Sequence, residues 1–133
     1  MFATSLAGGV LAVDGASLVL AEWRDPGGPP DPPRYIAPLH IHHSDDEAWY
    51  VLQGALRFRL DDVEVEASAG GAVIAPRGTP HTYWNPRAEP ARYLLVMTAT
   101  IAALIDALHA PGAPADMAAL VRAHDSTMIG WPE

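Results

Sequence analysis

Residues 40–54 read HIHHSDDEAWYVLQG, and the rest of the chain is best read outward from them. In an extended strand, side chains two apart leave the same face, so His40 and His42 project together while Ile41 and His43 point away. A polar turn, His43 to Asp46, follows, and Glu47 heads the next apolar run. An antiparallel neighbour starting there can bring its carboxylate beside the two imidazoles. Imidazole and carboxylate suit first-row divalent ions, so these donors on one face follow metal-ligand logic.

A second stretch, residues 70–85, reads GGAVIAPRGTPHTYWN and offers one more donor. Pro76 and Gly78 specify a tight turn, after which His81 opens a strand, and Asn85-Pro86 is itself a turn signal. Together the two stretches resemble the two motifs of the cupin superfamily. The first motif reads H-x-H, three or four residues, E, six residues, G. The second reads G, five residues, P-x-G, two residues, H, three residues, N. Every one of these positions is matched between His40 and Asn85; just upstream, the glycine usual six residues before the first histidine is Arg34. The resemblance implies an all-β fold, the double-stranded β-helix or jelly-roll barrel of cupins. It implies His40, His42, Glu47 and His81 as the ligands of one divalent metal ion: iron, manganese, nickel, cobalt or zinc. Gly54, Pro76, Gly78 and Asn85 are then turn formers without direct chemistry.

The flanking sequence agrees with a barrel. Strands are predicted at 17–24, 35–42, 47–53, 55–60, 63–67, 71–75, 80–84 and 91–99, separated by glycines or acidic pairs. The PGGPPDPP stretch at 26–33 must be loop, because proline cannot donate to a sheet ladder. Leu56, Phe58 and Leu60 alternate with Ala55, Arg57 and Arg59, and valines alternate with glutamates over 63–66, giving each strand a core face and a wet face. The period then changes. With Thr100 as N-cap, IAALIDALHA places Ile101, Leu104, Ile105 and Leu108 on one helical stripe, ended by Pro111 and Gly112. A second helix, roughly 114–124, carries Met117, Leu120 and Val121. Both helices are expected outside the barrel, so that one domain, 1–133, divides into a barrel to about residue 99 and a helical tail from 100.

At 133 residues and 14.2 kDa the chain is long enough for one genuine core. Sixteen acidic against eight basic residues give a formal charge of −8, which repels phosphate backbones and anionic lipids; neither nucleic acid nor membrane is an expected partner. The absence of cysteine excludes disulfides, thiolate zinc sites and cysteine nucleophiles. The opening MFATSLAGGVLAV is apolar but has no basic residue before it and breaks at Gly8-Gly9, so it reads as a strand pair rather than a signal peptide, with the cytoplasm as default location. Small cupins are commonly homodimers, and the N-terminal strands, 2–13, are candidates for pairing with a partner's sheet edge.

Trp49 shares the inward face with Glu47 and is the foremost candidate for a pocket wall above the metal; Phe58, Tyr83, Tyr93 and Met97 are further candidates, each with core packing as its alternative. His43, His109 and His124 are expected at the surface, Asp45-Asp46 in a solvated turn, and Arg57 and Arg59 on an outer strand face. Four protein donors leave one or two positions open on a five- or six-coordinate ion, as a catalytic site requires. A divalent ion with one carboxylate carries net positive charge and favours a small-molecule substrate that binds through an enolate, phenolate or carboxylate oxygen. Glu47 is the one ligand able to act also as a base. The pattern and helical tail look like bacterial quercetin dioxygenase-like single-domain cupins, which implies a metal-dependent oxidoreductase acting on a small aromatic or enolisable compound. A non-redox isomerase, lyase or cyclase and a non-enzymatic ligand-binding cupin are the alternatives, because this fold hosts many functions.

Overall fold

Alternation of apolar and polar side chains buries one face of nearly every strand, and two sheets close over the core so formed. The computed structural model describes residues 1–112 and 116–132. In chain order the strands are β1 (Val10–Leu11), β2 (Leu18–Asp25), β3 (Leu39–His42), β4 (Glu47–Gln53), β5 (Ala55–Leu60), β6 (Val63–Ser68), β7 (Ala72–Ala75), β8 (His81–Trp84) and β9 (Ala91–Thr98). Helices α1 (Ala99–His109) and α2 (Met117–Ala123) follow, and β10 (Ser126–Gly130) comes last. One five-stranded sheet has the order β1-β2-β9-β4-β7, the other β10-β3-β8-β5-β6, and every pairing is antiparallel.

Inward residues of both sheets fill the core: Val19 and Ala21 from β2, Trp49 and Val51 from β4, Leu56 and Phe58 from β5, Tyr93, Leu95 and Met97 from β9. The Trp49 ring meets Phe58 and Tyr83 with centroids 5.1 and 5.3 Å apart, and Phe58 stacks on Tyr83 at 5.7 Å. Gly54 joins β4 to β5 with φ +75, and a Cβ there would stand 2.5 Å from the Pro90 carbonyl oxygen. Only glycine fits both the angle and the space. Asn85 is buried and acts as a splint, its side-chain amide donating to Asp25 Oδ2 (3.0 Å) and the Glu89 carbonyl (2.8 Å) and its Oδ1 accepting from the Arg87 N–H (2.9 Å).

The fold departs from the sequence reading at several places. Of the predicted N-terminal strands, only Val10–Leu11 forms, at a sheet edge. The strand predicted over 35–42 is confined to Leu39–His42, with a single bridge from Tyr35 to Trp84. Val63 does not reach the core and is 59% exposed on β6, the last strand of its sheet. Helix α1 starts earlier than predicted, since Thr98, not Thr100, accepts the Ile101 N–H at 3.2 Å as N-cap. Helix α2 starts later, capped by Asp116; the predicted first two residues of that helix lie outside the described residues. The largest difference is β10. After α2 the chain returns to the barrel and pairs with β3, setting Ser126 against His42 and Met128 against His40. Among the described residues no helix is long and apolar enough to cross a membrane.

Candidate metal centre

Three of the four predicted ligands come from one sheet and the fourth from the other. His40 and His42 lie two apart on β3, and His81, at the head of β8, is the register partner of His40. Glu47 begins β4 in the facing sheet. His40 Nε2 lies 3.2 Å from His42 Nε2, and Glu47 Oε2 lies 3.2 Å from His42 Nε2 and 3.3 Å from His81 Nε2. All four donor atoms fall within 4.8 Å of one another. Neighbouring ligands roughly 2.0–2.2 Å from a common divalent ion stand at such separations.

The outer nitrogens explain why the inner ones converge. His40 Nδ1–H donates to the Pro38 carbonyl at 2.7 Å, and His81 Nδ1–H to the Thr79 carbonyl at 2.8 Å. Ser126 Oγ–H is directed at the His124 carbonyl (3.2 Å), so its oxygen accepts the His42 Nδ1–H at 2.7 Å. Each imidazole thus carries its proton on Nδ1 and presents the Nε2 lone pair inward, the tautomer a metal ligand needs. Burial, then the neighbouring His81 and His42, pushes the His40 imidazole down to about 4, keeping it neutral. Burial alone would raise the Glu47 carboxyl, but hydrogen bonds from His42 and His81, made when a proton on Nε2 takes the place of the metal, hold it down at about 2, so it is an anion. Lone pairs and a buried carboxylate facing one another require positive charge between them, supplied by protons on Nε2 or by a metal ion. The donor set fits a first-row divalent ion, and His40, His42, Glu47 and His81 would hold it.

Two turns hold this cluster in place. Gly78 N–H donates to the His42 carbonyl at 2.7 Å, and Asp46 accepts from Arg77 three times, at the backbone N–H (2.9 Å), Nε (3.2 Å) and Nη2 (3.0 Å). The turn before Glu47 is therefore bound to the turn before His81. Asp46, expected in a solvated turn, is this clamp. Ser126 is the residue the sequence reading missed; it lies 84 positions from His42, on a strand that was not predicted.

A cavity of about 200 Å³ opens beside the cluster. Its polar end is His40, His42 and Glu47, and its walls include Ile36, Trp49, Tyr83 and Leu95 from the barrel. Ile101, Leu104, Ile105 and Leu108 of α1, Met117 and Val121 of α2, and Trp131 complete it. The helices thus lie outside the sheets and also cap this end of the barrel. Of the pocket candidates, Trp49 and Tyr83 line the cavity; Phe58, Tyr93 and Met97 are buried in the core and are not among its walls. Burial raises the Tyr83 and Tyr93 phenols above their ordinary range, so both stay protonated, joined by a 3.0 Å hydrogen bond. His43 is exposed and bonded to Thr127 Oγ1 at 2.7 Å, as a surface histidine. His124 is half-buried, its Nδ1–H donating to the Leu120 carbonyl at 2.9 Å. His109 is exposed but also lines the cavity, its ring edge-on to Trp23.

The family model described as "Cupin domain" matches residues 31–97, which contain all four donors. Among solved structures, the chain is similar to a sugar phosphate isomerase of the cupin superfamily from Silicibacter pomeroyi, 26% identical over 62% of this chain and 51% of that one, with TM-score 0.53. The aligned part therefore spans about half the length of the Silicibacter protein. A protein from Thermus thermophilus is 26% identical over 65% of this chain and 76% of its own, with TM-score 0.54. A predicted oxalate decarboxylase from Thermotoga maritima, 24% identical over 60% and 64% of the two chains with TM-score 0.52, shares the fold. No curated protein is similar enough in sequence to count as a relative. With its two antiparallel sheets, its converging histidines and glutamate, and the matched region 31–97, the chain belongs to the cupin domain family.

Proposed function

We propose that this protein is a metal-dependent oxidoreductase of the dioxygenase kind, acting on a small aromatic or enolisable substrate. One observation carries the reading: the ligand cluster is the polar end of a cavity whose remaining walls are almost wholly apolar. The sequence has no lysine, and none of its eight arginines lines the cavity. A phosphate or a dicarboxylate would find no cation there to pair with, apart from the metal itself. This lining supports a flat, weakly charged molecule presenting a single acidic oxygen over a sugar phosphate.

A bound divalent ion would act as a Lewis acid toward that oxygen and, if redox-active, as an electron route between substrate and O₂. The chain's own residues supply the rest. Glu47 is 6% exposed and on the cavity wall, so its carboxylate is placed to take the proton of an enol or phenol as general base. Trp49, Ile101 and Leu104 pack around the site and exclude water, protecting an oxidisable anion from side reactions. A dioxygenase places both atoms of O₂ in the product and needs no external reductant, which agrees with a cavity that has room for one small substrate.

The 26% identity to the sugar phosphate isomerase supports a second reading, in which the same base and Lewis acid isomerise an apolar substrate without O₂. Metal analysis of protein purified without added metal, then anaerobic reconstitution with Fe(II), Mn(II), Ni(II) or Co(II) and O₂-uptake assays on flavonols and β-diketones, divides the two. Stoichiometric O₂ consumption is expected with at least one redox-active ion. Full native occupancy by zinc, with no O₂ consumed under any metal, refutes the oxidoreductase.

A further inference from the structure

We infer that His109 sets the specificity of the cavity by accepting a hydrogen bond from a hydroxyl or N–H group on the part of the substrate farthest from the metal cluster. The inference rests on the function proposed above and names the kind of substrate it takes. The cavity has few polar groups to offer. His40, His42 and Glu47 belong to the metal centre, and the Tyr83 hydroxyl is bonded to Tyr93 at 3.0 Å. The Trp49 indole N–H is sealed by its surroundings and reaches no cavity surface. The indoles of Trp23 and Trp131, also on the wall, can only donate, so among the described residues His109 is the side-chain acceptor that remains.

Its ring is fixed in orientation and in tautomer. His109 Nδ1–H donates to the Ile105 carbonyl at 2.8 Å, one turn back on α1, so the neutral ring keeps its lone pair on Nε2. Among the described residues nothing bonds to that Nε2. The ring stands edge-on to Trp23, centroids 6.5 Å apart at 79°, and its neighbours on the wall, Ile105 and Leu108, are apolar. The metal ligands are buried or half-buried, whereas His109 is exposed, so it marks the outer end of the cavity. A substrate whose acidic oxygen faces the cluster lays its apolar body against α1 and brings its outer edge to a fixed acceptor. A donor there is paired; a hydrogen there is not. The substrate class is therefore an aromatic or enolisable compound with two polar ends, an acidic oxygen at one and a hydrogen-bond donor at the other.

The test uses the zinc-loaded full-length protein at pH 8, where no turnover intervenes, and two isosteric probe pairs of different reach. Allomaltol and kojic acid share one hydroxypyranone and differ by a single outer hydroxyl; 3-hydroxyflavone and 3,4′-dihydroxyflavone differ by a single outer phenol. Isothermal titration is expected to show the hydroxylated member of at least one pair binding about tenfold more tightly to the wild type. His109→Phe, which keeps an aromatic edge against Trp23, and His109→Leu, which makes the same deletion with a smaller side chain, should each abolish that preference and leave affinity for the other member within about threefold. No preference in either pair, or a preference that survives both substitutions, overturns the inference and leaves the proposed function standing. If metal analysis finds the zinc in place and none of the four probes binds, the reading of the cavity fails, and this inference with it.

Discussion

Ser126→Ala removes the side-chain hydrogen bond that joins the C-terminal strand to the His42 ring of the metal centre. The bond is 2.7 Å long, and Ser126 and His42 are each 3% exposed, so water cannot readily replace the lost hydroxyl. Deleting it leaves the His42 Nδ1–H buried without an acceptor, at a cost of about 1–3 kcal/mol. The imidazole has one escape, moving its proton to Nε2, and that proton then occupies the position a metal ion needs. Loss of such orienting partners typically lowers metal affinity by about 10–100-fold. Zinc affinity, measured by competition with a chromogenic chelator, should therefore fall at least tenfold in Ser126→Ala and recover in Ser126→Thr. Thr98→Ala is the control: it removes the cap of α1, where Thr98 Oγ1 accepts the Ile101 N–H, and costs about 1 kcal/mol of stability without touching the site. A Ser126→Ala affinity within twofold of wild type, or an equal loss in Thr98→Ala, would refute the argument.

Three further outcomes follow from the same geometry. His81→Ala removes one of three inward nitrogens and should lower metal occupancy sharply after equal exposure to zinc, as read by elemental analysis; undiminished occupancy contradicts the ligand assignment. The folded-state pKa of His40 is depressed to about 4 from 6.5, so the unfolded chain binds the proton first. Metal-free protein should be fully stable, as far as this group is concerned, above pH 6.5 and lose about 3 kcal/mol as pH falls to 4. A melting temperature flat across that window in the chelator-treated protein would count against it. Gly54→Ala forces a Cβ to within 2.5 Å of the Pro90 carbonyl at φ +75 and should cost about 2 kcal/mol; an unchanged denaturant midpoint would remove the steric account of that glycine.

The ligand cluster is legible in the sequence because strand alternation and short turns fix it locally: His40 and His42 share a face by period, and Glu47 and His81 each follow a turn of few residues. Ser126 is not legible, since its partner is 84 residues away and the pattern of its strand is inverted, with Ile129 52% exposed and the serine buried. Thr98 and Thr100 carry the same capping chemistry, and only the point where β9 ends decides between them. The stripe Ile101, Leu104, Ile105, Leu108 announces a helix with one buried side but not what it is buried against. In the structure Ile101 belongs to the core, and all four residues face the cavity as well. That sharing divides the chain's chemistry in two. The metal donors sit within 40–81, inside the matched family region, whereas much of the cavity's outer wall, His109 included, and the Ser126 support come from residues 99–131, beyond its end at 97. Substitutions in α1 and α2 should therefore change which molecule is accepted while leaving the ion in place, and Ser126 is the point where the two halves meet.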